Sequence, residues 1–138
     1  MIPRVVLDTN VVVSALLKPQ GREDQVLRLA LAGRLLLCVS PQVLAESGRV
    51  LSSPKFKFQS EEVATALRQL EKAGSLFRPA RILEISEHEP DNRFYECAGA
   101  AQAAFLVTGS LRHFKKDYRA TKIVNARKLL DLLATGQI

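Results

Sequence analysis

Three acidic residues stand where the sequence around them is apolar. Asp8 interrupts a run that begins Val5-Val6-Leu7 and resumes at Val11-Val12-Val13. Glu46 lies three and four residues from Val43 and Val50, on the side of a helical pattern that leans inward. Asp91 follows Pro90 and opens a pattern whose apolar positions are Phe94, Tyr95, Ala98 and Ala101. Burying an isolated charge costs far more than one side chain's packing returns, so each acid needs a compensating partner. Taken singly, each has an ordinary explanation. Asp8 can cap the helix that follows, because Asp, Thr and Asn are all good caps. Glu46 can pair with a neighbouring Arg, and Asp91 can be a plain N-cap beside proline. Gathered in one place, the three acids would instead make a cation site.

Whether they gather depends on the elements that carry them. A Val-rich apolar run of this kind reads as the central strand of a parallel sheet, covered on both faces and therefore free of alternation. Asp8 then sits at the strand's carboxyl end, where open α/β sheets place their ligands. A helix is predicted over Thr9 to Leu17, stopped by Lys18-Pro19-Gln20-Gly21, and a second over Glu23 to Arg34. Leu35 to Val39 is a second buried strand, and Ser40-Pro41 reads as a cap and first helical position. The Glu46 helix ends at Ser52-Ser53-Pro54, and Ser60 is expected to cap the next helix. A short strand is predicted from Arg81 to Ile85, then a helix from Asp91 to about Ala101 and a strand from Ala104 to Val107. After a basic loop, Lys122 to Val124 is a last strand, and Asn125 caps a helix from Ala126 to Leu133. Strands and helices alternate without repeats, which points to a parallel sheet joined by right-handed crossovers. Such a sheet places Asp8, the turn before the Glu46 helix and Ser110 at one edge, within reach of the loop ending at Asp91. Carboxylates converging there raise each other's pKa unless a cation holds them. Mg²⁺ or Mn²⁺ suits an all-oxygen donor set, and the lack of His or Cys among these candidate ligands argues against zinc.

The composition sets the class. With 138 residues, 47% of them apolar, the chain has material for one ordinary globular domain, expected over residues 1–138. A formal charge of +6 favours a polyanionic partner such as nucleic acid. Cys38 and Cys97 share no metal-like spacing and read as small core residues of a reducing compartment. No basic leader and no apolar segment of membrane-spanning length are visible, so a cytoplasmic protein is expected. His88 and His113 read as surface residues of loops, and Glu96 as a solvated or salt-bridged helix residue. Arg112, Lys115, Lys116, Arg119 and Lys122 follow the Ser110 turn, either as a phosphate track beside the acids or as a solvated loop.

Read together and in order, these stretches resemble a PIN domain of the bacterial toxin-like, VapC-like branch. The likeness rests on Val-Val-Leu-Asp8-Thr-Asn10, Ser40-Pro-Gln-Val-Leu-Ala-Glu46, Glu89-Pro-Asp91-Asn-Arg-Phe-Tyr-Glu-Cys-Ala98, Val107-Thr108-Gly109 and Lys122-Ile-Val124. It implies a three-layer α/β/α fold around a parallel sheet of four to five strands, metal-dependent ribonuclease activity, an antitoxin partner and, as in many members, a homodimer. Carried over by position, Asp8, Glu46 and Asp91 match the acidic metal ligands, and Asn10 and Thr108 match polar residues that orient ligands or water. The chain departs from the pattern at Ser110, where many members have an acid, leaving open whether one ion or two are held.

The implied chemistry is in-line attack of cation-activated water on an RNA phosphodiester, with no side-chain nucleophile. A PIN-like module that binds RNA or a protein partner without cutting is the competing reading, motivated by Ser110. A receiver-like signalling domain is disfavoured, because it needs an Asp ending a middle strand and a Lys ending a late one, and the second strand here ends in Ser40. An Asp-x-Asp phosphatase is disfavoured because Asn10 takes the place of the second Asp.

Overall fold

A computed structural model describes residues 2–138. The Val-rich N-terminal run is β1 (Arg4–Leu7), and it lies in the middle of a five-stranded sheet. It is followed by α1 (Thr9–Leu17), α2 (Arg22–Leu31), β2 (Leu36–Val39), α3 (Pro41–Leu51), α4 (Ser60–Ala73) and β3 (Ser75–Leu76). A 3₁₀ turn (Glu89–Asp91) then leads into α5 (Asn92–Ala101), β4 (Phe105–Val107), β5 (Lys122–Val124) and α6 (Ala126–Ala134). The strand order is β3-β2-β1-β4-β5, and every pair is parallel, with Leu7 opposite Val107 and Val107 opposite Val124.

Alternate residues of each central strand serve opposite faces, as the two-residue period of a strand requires. Val5, Leu7, Leu37, Val39, Phe105 and Val107 pack against apolar residues of α1, α2, α4 and α6. Val6, Cys38 and Leu106 pack on the other face against Phe94, Tyr95, Cys97 and Ala98 of α5 and against Phe114. The result is the expected three-layer α/β/α architecture, with a sheet of five parallel strands. Both cysteines are buried and free, as the sequence implied.

The strand predicted at Arg81 to Ile85 does not form. The fifth strand is Ser75–Leu76 instead, pairing with Cys38 and Val39, and the ladder ends where the Phe77 amide donates to the Val39 carbonyl at 2.8 Å. Pro79 brings no amide to continue it. Further along, the Leu83 amide goes to Glu96 Oε2 at 3.0 Å and the Ile85 amide to Asn92 Oδ1 at 3.0 Å. The segment is therefore fastened to α5 by side chains rather than to the sheet by backbone. Two helix starts also shift by one residue. Gln59 rather than Ser60 caps α4, its amide donating to Glu62 Oε1 at 2.9 Å, and Asp91 ends the 3₁₀ turn so that α5 begins at Asn92.

Gly74 marks a close approach between α4 and the sheet. A Cβ there would meet the Leu70 carbonyl oxygen at 2.7 Å and Val39 Cγ2 at 2.8 Å. Gly74→Ala is expected to destabilise the protein by about 1–3 kcal/mol, the usual range for overpacking, read as a lower urea midpoint.

Candidate metal centre

Asp8 follows β1 directly and caps α1, and only 3% of its surface remains exposed. Its Oδ2 accepts a 2.8 Å hydrogen bond from the hydroxyl of Thr108, the residue that leaves the neighbouring strand β4. The Thr108 oxygen in turn accepts from the Ser110 amide at 2.9 Å, which leaves its proton for Asp8. Burial pushes the Asp8 carboxyl up from 3.8 to about 6. The Thr108 bond and the amides of Asn10 and Thr9 oppose that rise, while the charge of Asp91 adds to it. The Asn10 side chain is exposed, so the group it turns toward Asp8 is its amide.

Glu46 is placed by α3, whose first turn is fixed by the Ser40 cap accepting from the Val43 amide at 3.0 Å. One residue beyond Glu46, the buried Ser47 hydroxyl meets the Thr9 hydroxyl at 3.0 Å and ties α3 to the start of α1. The Glu46 side chain is 15% exposed and pairs with Arg49, Nε to Oε2 at 3.1 Å and Nη2 to Oε1. The ion pair weighed from the sequence is thus present. Arg49 is 64% exposed and one turn along the same helix, so it can swing into solvent if another cation takes the carboxylate.

Asp91 ends the 3₁₀ turn with 8% of its surface exposed, and its Oδ2 is buried without a hydrogen-bond partner. Burial raises its pKa, the facing imidazoles of His88 and His113 lower it, and the charge of Glu46 raises it. The charge of Asp91 is thus felt at Asp8, and that of Glu46 at Asp91. The close-set trio of donors is a different one, and it includes neither Asp8 nor Glu46. Among the described residues, His88, Asp91 and His113 are the group of three potential metal ligands whose donor atoms all lie within 4.8 Å of one another.

The two histidines were read from the sequence as surface residues. They are exposed, but their rings stack with centroids 4.8 Å apart, and His113 Nδ1 lies 3.4 Å from Asp91 Oδ2. The signal available was the position of His113, four residues past the Val-Thr-Gly turn that topology sends to the strand ends. Asn92 went unremarked as well. Fully buried, it accepts from the Ile85 and Ser86 amides and donates to the Ser86 carbonyl and to Glu89, so it shapes the loop that carries His88.

Ser110 turns its chain back on itself, its carbonyl accepting from the His113 and Phe114 amides. The basic residues divide among three places. Arg112, Lys115 and Lys116 line a cleft with Ser86, His88 and His113. Arg119 lies over the Tyr118 ring in a separate cleft with Arg78 and Arg81, and Lys122 faces a third with Lys128. Glu96 is salt-bridged to Arg93 at 2.9 Å, as one of its two readings held, but buried rather than solvated.

The strand order and the helices on both faces define a three-layer α/β/α domain, with Asp8 at the carboxyl end of the central strand. The PIN domain family matches residues 4–112, and the chain belongs to that family. It is 30% identical over 109 residues to MJ1680, an uncharacterised protein of Methanocaldococcus jannaschii, covering 77% of this chain and 70% of the relative. Its fold is similar to VapBC2 from Rickettsia felis bound to a DNA fragment from their promoter, with a TM-score of 0.61 and 21% identity over 88% of this chain and 98% of the other. PAE2754 from Pyrobaculum aerophilum superposes with a TM-score of 0.60 at 14% identity, over 97% of this chain and 90% of the other. No helix among the described residues is long and apolar enough to cross a membrane.

Proposed function

We propose that the chain is a metal-dependent ribonuclease that hydrolyses RNA phosphodiesters in the cytoplasm, as the toxin component of a toxin–antitoxin pair. The observation that carries this reading is a pair of buried carboxylates without sufficient counter-charge. Asp8 is raised to about 6, and Asp91 keeps a buried oxygen without a hydrogen-bond partner. That donor set fits a hard divalent cation, Mg²⁺ or Mn²⁺, held by Asp8, Glu46 and Asp91. When bound, such an ion acidifies water and neutralises charge developing on the phosphate.

The chain's own residues do the rest. Thr108 fixes the Asp8 carboxylate by donating to Oδ2, and the amides of Thr9 and Asn10 hold its charge. Arg112, Lys115 and Lys116 on the rim bind the phosphates flanking the scissile bond, and Arg119, in a separate cleft beside Gly99 and Ala100 of α5, takes a phosphate further along the RNA. The basic rim offsets the repulsion between an acidic centre and a polyanion. An antitoxin protein fits the same rim if it presents an acidic segment, and a homodimer completes the assembly implied by the family likeness. Ser110 favours a second reading, a module that binds RNA or protein without cutting.

Mixed RNA substrates incubated with Mn²⁺ distinguish the two. Cleavage by the wild type, lost in Asp8→Asn and in Glu46→Gln, is the expected result. Equal RNA loss with wild type and Asp8→Asn would remove the enzyme reading, and RNA retention without cleavage would favour the binding module.

A further inference from the structure

The acidic centre does not account for the His pair. His88 and His113 come from loops 25 residues apart in sequence, yet a single hydroxyl joins their backbones. Ser86 Oγ accepts from the His88 amide at 3.2 Å and donates to the His113 carbonyl at 2.9 Å. Asn92 anchors the first loop from below, and the Ser110 carbonyl pins the second. Two exposed rings on separate loops are thereby held face to face beside a buried carboxylate. The Asp91 oxygen that faces them, Oδ2, is 3.4 Å from His113 Nδ1 but outside hydrogen-bond geometry, and it has no other partner. An acceptor left unsatisfied in a buried position calls for a further donor or a cation.

We propose that His88, Asp91 and His113 form a second cation site, sharing Asp91 with the carboxylate centre and selective for a borderline divalent transition metal such as Zn²⁺ or Co²⁺. Imidazole nitrogens suit these ions, whereas Mg²⁺ takes oxygen ligands and parts reluctantly with its waters. Two imidazoles and one carboxylate leave open positions on such an ion, and the surroundings indicate what takes them. Arg112, Lys115 and Lys116 line the same cleft of about 140 Å³, so the remaining ligand is an anion. Their own charges oppose a bare cation, but the side chains are exposed and well screened. Asp91 is common to this site and to the centre with Asp8 and Glu46, which couples the two. The nitrogen site revises the expectation from sequence that His ligands play no part here. It stands whether or not RNA is cut, because it is read from metal binding.

Titration of the full-length protein with Co²⁺, followed by visible absorption, tests it alongside calorimetry with Zn²⁺. His88→Ala and His113→Ala change exposed side chains and leave the core intact. Each is expected to weaken Co²⁺ and Zn²⁺ binding by more than the roughly 10–100-fold that loss of an outer partner of a metal ligand costs. Glu46→Gln is expected to leave that binding in place, and Zn²⁺ is expected to shift the imidazole nitrogen resonances of both histidines. Binding that survives both His substitutions, or fails in Glu46→Gln alone, would put the ion among the carboxylates and overturn the proposal. Absence of Co²⁺ and Zn²⁺ binding in the wild type would overturn it too.

Discussion

Asp8→Asn is expected to make the metal-free protein more stable at neutral pH while removing its response to Mn²⁺. The carboxyl titrates at about 6 in the folded chain against an ordinary 3.8. Below pH 3.8 it is neutral in both folded and unfolded states and exacts no penalty. Between 3.8 and 6 the unfolded chain releases its proton first, so stability is lost as pH rises, and above 6 the full penalty remains. The gap corresponds to about 3 kcal/mol. An Asn carbonyl still accepts from Thr108, and Asn is as well suited as Asp to the N-cap position, so the substitution removes the charge and keeps the hydrogen bond. Urea unfolding in the presence of a chelator should show the variant ahead at pH 7, with the advantage shrinking toward pH 4. Mn²⁺ should reverse the order, because an ion that binds only the folded wild type stabilises it by about 3 kcal/mol at a hundredfold excess over its dissociation constant. A variant less stable than wild type at pH 7 without metal would make Asp8 a structural residue.

Asn92→Ala is expected to have the largest effect among residues that touch no ligand. The side chain is 1% exposed and makes four hydrogen bonds, including 2.7 Å to the Ser86 amide and 2.8 Å to Glu89. Alanine leaves the Ile85 and Ser86 amides without an acceptor, and a buried donor so orphaned costs about 1–3 kcal/mol. Water reaches part of this loop and returns some of the loss, so about 2–4 kcal/mol is expected in urea unfolding. The loop also carries His88 and leads to Asp91, so faster proteolysis between residues 84 and 90 should accompany the loss. Unchanged loop protection would show that α5 packing, not Asn92, holds this segment.

Much of the architecture could be read from the chain because its signals are local. The all-apolar runs at Val5-Val6-Leu7, Leu36 to Val39 and Phe105 to Val107 are what strands buried on both faces require. Ser40-Pro41 and Asn125 announced α3 and α6 through capping chemistry, and both caps accept from the amide three residues on. The strand expected at Arg81 to Ile85 failed because its pattern was judged by itself. Whether an apolar segment joins a sheet depends on free edge positions, and β2 had already been paired by Ser75 and Leu76.

The sequence by itself determined that Asp8, Glu46 and Asp91 stand out against their surroundings, and that alternating elements would send them toward the carboxyl edge of a parallel sheet. Periodicity and capping suffice for that, since each acts within a few residues. Only the tertiary structure decided which groups face Asp91. His88 and His113 lie in loops with no repeating pattern, and their positions follow from hydrogen bonds of Ser86, Asn92 and Ser110. The bond from Ser86 to the His113 carbonyl spans 27 residues, and contacts of that range depend on the folded backbone rather than on local spacing.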